Sequence, residues 1–139
     1  MRETVINHIE QRFQAWRDLA EAVDDDQLMD KLPVAKSKAL REHFWCVIGG
    51  RESYTKALEA GEWAGFGCSL EKVDRAEVLS VLDASAAKFR ETVNAIDDWD
   101  DQRHELLTML MEHEVMHEGQ VIRLMYGLER DLPDSWVWA

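Results

Sequence analysis

Hydrophobic residues recur every three or four positions in four stretches of the chain. This spacing places side chains on one face of an α-helix. The stripes cover residues 6–23, 40–57, 79–96 and 106–127. Polar residues occupy most positions between them, and no stretch alternates as a half-buried strand does. The pattern therefore predicts an all-α fold of four amphipathic helices that pack as a four-helix bundle.

Residues with known positional preferences mark the ends of these helices. Pro33 separates the first helix from the second, and Gly61 is a typical residue to follow the end of a helix. Asp74 followed by Glu77 predicts a capping box at the start of the third helix. Asp100 suits the start of the fourth helix, where the helix dipole favours negative charge.

The chain length and one long connection refine this prediction. A chain of 139 residues predicts a single domain spanning residues 1–139. Residues 61–71 contain three of its seven glycines and form the longest predicted connection. Eleven extended residues reach roughly 36–40 Å, whereas a 22-residue helix is about 33 Å long. The connection can therefore cross the whole bundle, so that the second and third helices run parallel.

The charge balance excludes several classes of partner. The chain has 28 acidic and 16 basic residues, a formal net charge of −12. Nucleic acids and anionic membrane surfaces both require a basic face, so we expect neither as a partner.

The N-terminal residues are charged throughout and no long apolar segment occurs, which predicts a cytoplasmic protein. The two cysteines are too few to predict a disulfide framework.

Two histidines interrupt the apolar stripe of the fourth helix. His113 and His117 lie one turn apart on the predicted interior face, and Gln120 follows on the same stripe. Two imidazoles spaced in this way can bind one metal ion from a single helix. The alternative is a pair of core histidines satisfied by hydrogen bonds, since burying both without partners is costly.

A metal site needs a further protein ligand, and the second helix offers two candidates. His43 lies on its interior stripe, and Cys46 follows three residues later, about 60° around the same face. Cys68, in the glycine-rich connection, is a third candidate that could complete a Cys/His set. Each cysteine has an alternative interpretation, an inert core residue for Cys46 and a loop thiol without a role for Cys68.

Basic residues cluster just before and at the start of the second helix. Such a cluster is either a solvated face or a site that attracts an anionic substrate. Its members are Lys31, Lys36, Lys38 and Arg41.

The segment His113–His117 also matches the pattern HExxH of zinc proteases, in which the glutamate acts as general base. The longer metzincin form of that pattern requires a histidine at the position of Arg123. Glu114 is offset by about 100° from His113 on the helix, so it is expected either to face solvent or to act on a metal-bound water. A protease is therefore a remote alternative.

Two segments of the sequence resemble the DinB family of metalloenzymes. One is EHEVMHEGQVIRLMYGLERDLPDSW (residues 112–136), which contains the family signature H-x-x-x-H-x-G-Q, and the other is FWCVIGGRESYTKALEAGEWAGF (residues 44–66). The resemblance implies an up-down-down-up bundle that holds zinc or nickel through three residues. His113 and His117 match the two ligands of the fourth helix. The position of the second-helix ligand is held by Cys46, which we slightly favour, with His43 one turn earlier as the other candidate.

The resemblance also implies a function. Related enzymes transfer thiol cofactors of the bacillithiol or mycothiol type, so we expect a metal-dependent thiol S-transferase or small-molecule hydrolase. A low-molecular-weight thiol is then a co-substrate, and a homodimer is the expected assembly. The alternative from a different class is a non-enzymatic dimeric bundle in which a metal ion is structural or absent.

Overall fold

A computed structural model describes all 139 residues and contains four long α-helices and no strands. The helices are α1 (Arg2–Ala22), α2 (Leu40–Ala60), α3 (Arg75–Ala95) and α4 (Asp101–Gly127). A short 3-10 helix, Gln27–Met29, lies between α1 and α2. This architecture confirms the predicted all-α four-helix bundle. No helix combines the length and the apolar character that crossing a membrane requires.

The helix ends follow the capping chemistry of the sequence. The side chain of Asp74 accepts a hydrogen bond from the backbone N–H of Glu77 at 2.8 Å. Gly61 ends α2 in the left-handed conformation with φ 83°, which costs glycine little. A capping box would also have the Glu77 carboxylate accept a hydrogen bond from the N–H of Asp74. Instead, this carboxylate accepts from the N–H of Lys72 at 2.8 Å.

Contacts between helices establish their directions. Lys88 pairs with Glu59 at 3.6 Å, and Glu52, two turns earlier in α2, shares a surface cleft with Ser80 in α3. The helices α2 and α3 are therefore parallel, and residues 61–74 cross the bundle between them.

The other helices complete the expected up-down-down-up order. Arg17 binds Asp83 and Arg90 binds Glu10, which makes α1 antiparallel to α3. In α4, early residues pack with early residues of α1 and late residues with late ones, so these two helices are parallel. Around the bundle, α1 contacts α3 and α4, and α2 contacts the same two helices.

The core consists of two apolar clusters with charged residues between them. At one end, Trp16 contacts Phe44 and Trp136 edge-on. At the other end, Phe13 packs edge-on against Phe89 with ring centres 5.2 Å apart. Between these clusters lie four buried charged side chains, which we call the polar layer: Arg12, Arg51, Glu114 and Glu118.

Candidate functional site

Three histidines meet where α2 packs against α4. The Nδ1 atoms of His43 and His117 lie 3.2 Å apart, and their rings are 5.5 Å apart between centres. The ring of His113 lies against that of His117, with centres 4.7 Å apart. The structure thus brings together both predicted histidines of α4 and one of the two candidate partners in α2.

Close packing of α2 against α4 depends on a glycine. His43 and His117 are buried, at 4% and 3% exposure, and His113 is half-buried. The His113 ring lies directly over Gly50, where a Cβ atom would overlap it. Any larger residue at this position would have to displace the imidazole.

The environment keeps these imidazoles neutral at neutral pH. Burial, with a smaller contribution from nearby Lys38, lowers the pKa of His43 to about 4. Burial, with the neighbouring His113 and His43, lowers the pKa of His117 to about 3. Burial and then Arg51 also lower the pKa of His113. The neutral form is the one that ligates metal ions.

The donor atoms fit a metal ion in type and partly in geometry. Two nitrogen ligands of tetrahedral zinc lie about 3.3 Å apart, close to the 3.2 Å between the Nδ1 atoms of His43 and His117. Nδ1 of His113 is buried without a hydrogen-bond partner. As the side chains lie, however, no three His, Cys, Asp or Glu residues converge in an arrangement able to hold a metal ion.

Cys46 lies apart from the histidines. Its side chain lines a separate cavity of about 360 Å³, which we call the Trp45 cavity, together with Trp45 and Val73. Its Sγ atom lies 3.9 Å from Nζ of Lys38. The rotation of about 60° between His43 and Cys46 decides this, because only His43 then points at α4. The preference for Cys46 over His43 therefore finds no support in the side-chain positions.

Cys68 is also engaged elsewhere. Its thiol donates a hydrogen bond to the backbone carbonyl of Trp45 at 3.3 Å, and burial raises its pKa. Its Cβ atom packs against Gly49 of α2, so the residue attaches the long connection to that helix. Both cysteines are free.

Glu114 is completely buried, so the prediction that it faces solvent is wrong. Its two carboxylate oxygens accept hydrogen bonds from Nε and Nη2 of Arg51 at 2.6 and 3.1 Å. Burial raises the pKa of Glu114 while Arg51 opposes that shift. A carboxylate enclosed in this way cannot reach a water molecule, which removes the general base that the protease alternative requires.

An open cavity reaches His43 from one side. This cavity, called the His43 cavity below, has a volume of about 690 Å³ and lies between the connection preceding α2 and the second half of α4. His43 forms part of its wall, beside Gly119 and Gln120. Gln120 is exposed, so its predicted place on the interior stripe is wrong.

A solved structure shares this arrangement of helices. The chain superposes on the crystal structure of a DinB-like protein, YjoA of Bacillus subtilis, with a TM-score of 0.69 and 16% sequence identity. The match covers 94% of this chain and 96% of that one. The chain has a DinB-like fold. No protein-family model and no curated protein matches the sequence.

Within this DinB-like bundle, the polar layer is what the sequence analysis missed. Arg51 pairs with Glu114 as described, and Arg12 donates to Glu118 at 2.9 Å. A signal existed in the spacing, because Arg12 falls three residues after Ile9 and four before Trp16, on the buried face of α1. Two arginines and two glutamates on interior positions of different helices favour buried ion pairs.

Proposed function

We propose that this protein is a metal-dependent enzyme whose divalent ion is held by His43, His113 and His117. The observation that carries the proposal is the 3.2 Å separation of the Nδ1 atoms of His43 and His117, with His113 in contact with the second ring. Of the two candidates on α2 we propose His43, because its ring contacts that of His117 while Cys46 lines a separate cavity.

Three neutral imidazoles suit zinc or nickel. An ion with three protein ligands and an open position lowers the pKa of a thiol or a water molecule and so makes it a nucleophile at neutral pH. We therefore propose a thiol S-transferase that uses a low-molecular-weight thiol of the bacillithiol or mycothiol type, or a hydrolase of small molecules. The resemblance to the DinB family supports the first reaction class.

The protein's own residues position the ligands. Glu114 lies between His113 and His117 in α4, and its two hydrogen bonds to Arg51 hold this turn of α4 against α2. Gly50 lets the His113 ring approach the backbone of α2. The polar layer and the glycine thus determine where the imidazoles lie, while the His43 cavity admits substrate.

Metal analysis of single variants tests this assignment. Untagged protein is loaded with zinc or nickel, passed over a desalting column and measured by mass spectrometry. We expect the wild type and Cys46→Ala to retain the ion, and His43→Ala and His117→Ala to lose it. Retention by His43→Ala together with loss by Cys46→Ala would contradict the assignment, as would a wild type that binds no ion.

The alternative of a structural ion makes a different prediction. A chelator would then lower the melting temperature strongly, whereas removal of a catalytic ion abolishes turnover and changes melting much less. Turnover is measured with a panel of small thiols and electrophilic acceptors. The homodimer stays a prediction, and sedimentation of the purified protein measures it.

A further inference from the structure

The His43 cavity is basic in a strongly acidic protein. Three cationic side chains line it, namely Lys36, Lys38 and Arg123, and no aspartate or glutamate does. None of the three forms an ion pair within the chain. In a chain with 28 acidic and 16 basic residues, a cavity with this lining concentrates positive charge beside His43.

Specific contacts hold the connection between α1 and α2, which carries both lysines, against the end of α4. Asp30 forms an ion pair with Arg130 beyond the end of α4. Leu32 packs on Gly127, where a Cβ atom would overlap its side chain. The N–H of Leu32 donates to Oγ of Ser37 at 3.0 Å, which closes the turn that carries Lys36.

The nearest carboxylate in sequence is turned away from the cavity. Glu42 follows Lys38 by four residues, but its side chain accepts a hydrogen bond from the N–H of Ala39 at 2.6 Å. It lines the Trp45 cavity instead. The charges of Lys36 and Arg123 are therefore left for a ligand, whereas Nζ of Lys38 lies 3.9 Å from Sγ of Cys46.

From this arrangement we infer that the His43 cavity binds a small organic anion with at least two carboxylate or phosphate charges. The inference deepens the proposed function, on which it rests only for the claim that this anion is the substrate. Lysine and arginine side chains bind such oxyanions through charge-assisted hydrogen bonds. His43 forms part of the cavity wall, so the bound anion lies beside one of the three histidines.

The size of the basic region favours a small molecule over a polyanion. A nucleic acid needs a basic face that extends along several phosphates. Here the cations are confined to one cavity of about 690 Å³ in a chain of net charge −12. Such a cavity lies within the size range of small-molecule sites.

Binding by metal-free protein tests the inference. The protein is stripped with 1,10-phenanthroline, a chelator without negative charge, and titrated at low salt by NMR. The probes are succinate and glycerol 3-phosphate, with succinamide and glycerol as neutral matches. We expect the two anions to shift resonances around His43 and the neutral molecules not to. Equal binding of an anion and its neutral match would overturn the inference.

Charge-removing variants locate the site. Lys36→Gln and Arg123→Gln should each weaken anion binding about two- to fivefold, and the double variant should weaken it by about the product. Glutamine rather than glycine replaces Lys36, because this residue has φ 67°. Glycine adopts that backbone conformation more easily than other residues and would itself change the stability of the protein. Arg41→Gln removes the same charge from the neighbouring Trp45 cavity and should leave binding unchanged. Equal losses in Arg41→Gln and the double variant would refute the site.

The same titrations separate this inference from the proposed function. Anion binding that is lost in the double variant, in a protein that never retains a metal ion, supports the inference and refutes the metal site. Anion binding that requires the ion and is unchanged in the double variant supports the metal site and refutes the inference.

Discussion

The ends of the bundle and its middle are stabilised in different ways. At the ends, rings such as Phe13 on Phe89 and Trp16 on Trp136 exclude water without requiring one fixed orientation. In the middle, the planar guanidinium of Arg51 meets both oxygens of Glu114, an interaction that depends on direction as well as distance. The apolar ends therefore hold the helices together, while the polar layer determines the rotation and height of α4.

This difference matters because the histidines adjoin the polar layer. A small rotation of α4 would leave an apolar end packed but would move His113 and His117 off α2. Substitutions that disrupt one feature at a time should therefore separate effects on the unfolding free energy from effects on the positions of the histidines.

The largest effect is expected from Arg51→Met. It leaves Glu114 buried and unpaired, and it removes the guanidinium that lies 3.9 Å over the Phe13 ring. Loss of one partner of a buried ion pair costs about 3–5 kcal/mol of unfolding free energy. Urea denaturation followed by circular dichroism measures this loss.

Two further variants show whether the lost stability comes from the unpaired charge. The double variant Arg51→Met/Glu114→Leu should recover most of it, because no uncompensated charge remains. Arg90→Met breaks the exposed pair with Glu10 and should cost far less. If Arg51→Met costs no more than Arg90→Met, the polar layer does not hold the bundle.

A smaller effect is expected from acidification. Unfolded His117 titrates near 6.5, whereas its pKa in the folded protein is about 3. Below pH 6.5 the unfolded state thus binds a proton that the folded state does not, so stability falls as the pH falls. Between pH 7 and pH 5 this amounts to about 2 kcal/mol for one histidine.

The variant His117→Gln isolates this contribution. Metal-free wild type should lose about 2 kcal/mol more than His117→Gln between pH 7 and pH 5, in denaturation curves at both values. The raised pKa values of Glu114 and Glu118 act in the opposite sense but are common to both proteins. Phe89→Leu, in an apolar end, should follow the wild-type pH dependence. Identical pH slopes for wild type and His117→Gln would show that His117 is not held neutral.

The smallest effect is expected from Gly50→Ala. The new methyl group would displace the His113 ring and should weaken metal binding about tenfold. Unfolding free energy should change little, because alanine favours the helix. The matched control is Gly119→Ala on α4, where a Cβ atom meets no neighbour within 4 Å. Competition with a metal-binding dye measures both affinities, and equal values would exclude the proposed role of Gly50.

The apolar ends were predictable from the sequence, since their helices follow a regular stripe. Leu40, Val47 and Ala57 of α2 are all buried as expected, and α2 ends at the predicted glycine. This works because burial of apolar area needs only the correct face of each helix.

The middle of the bundle was less predictable, because the burial and contacts of its polar residues depend on side chains of other helices. The position of Glu114 on its own helix predicts exposure to solvent, but Arg51 of another helix pairs with it in the core. The choice between His43 and Cys46 depended on a rotation of about 60°, which the periodicity of one helix does not resolve. Both questions concern how helices face one another, and a stripe within one helix carries no information on that.

The order of the helices has a consequence for how the chain folds. Consecutive helices α1 and α2 lie across the diagonal of the bundle, as do α3 and α4, and α2 and α3 are neighbours only through the long crossing connection. No pair of antiparallel neighbours joined by a short turn exists to form early. Assembly must therefore wait for contacts between distant parts of the chain, which predicts slower and more cooperative folding than in an up-and-down bundle of equal size.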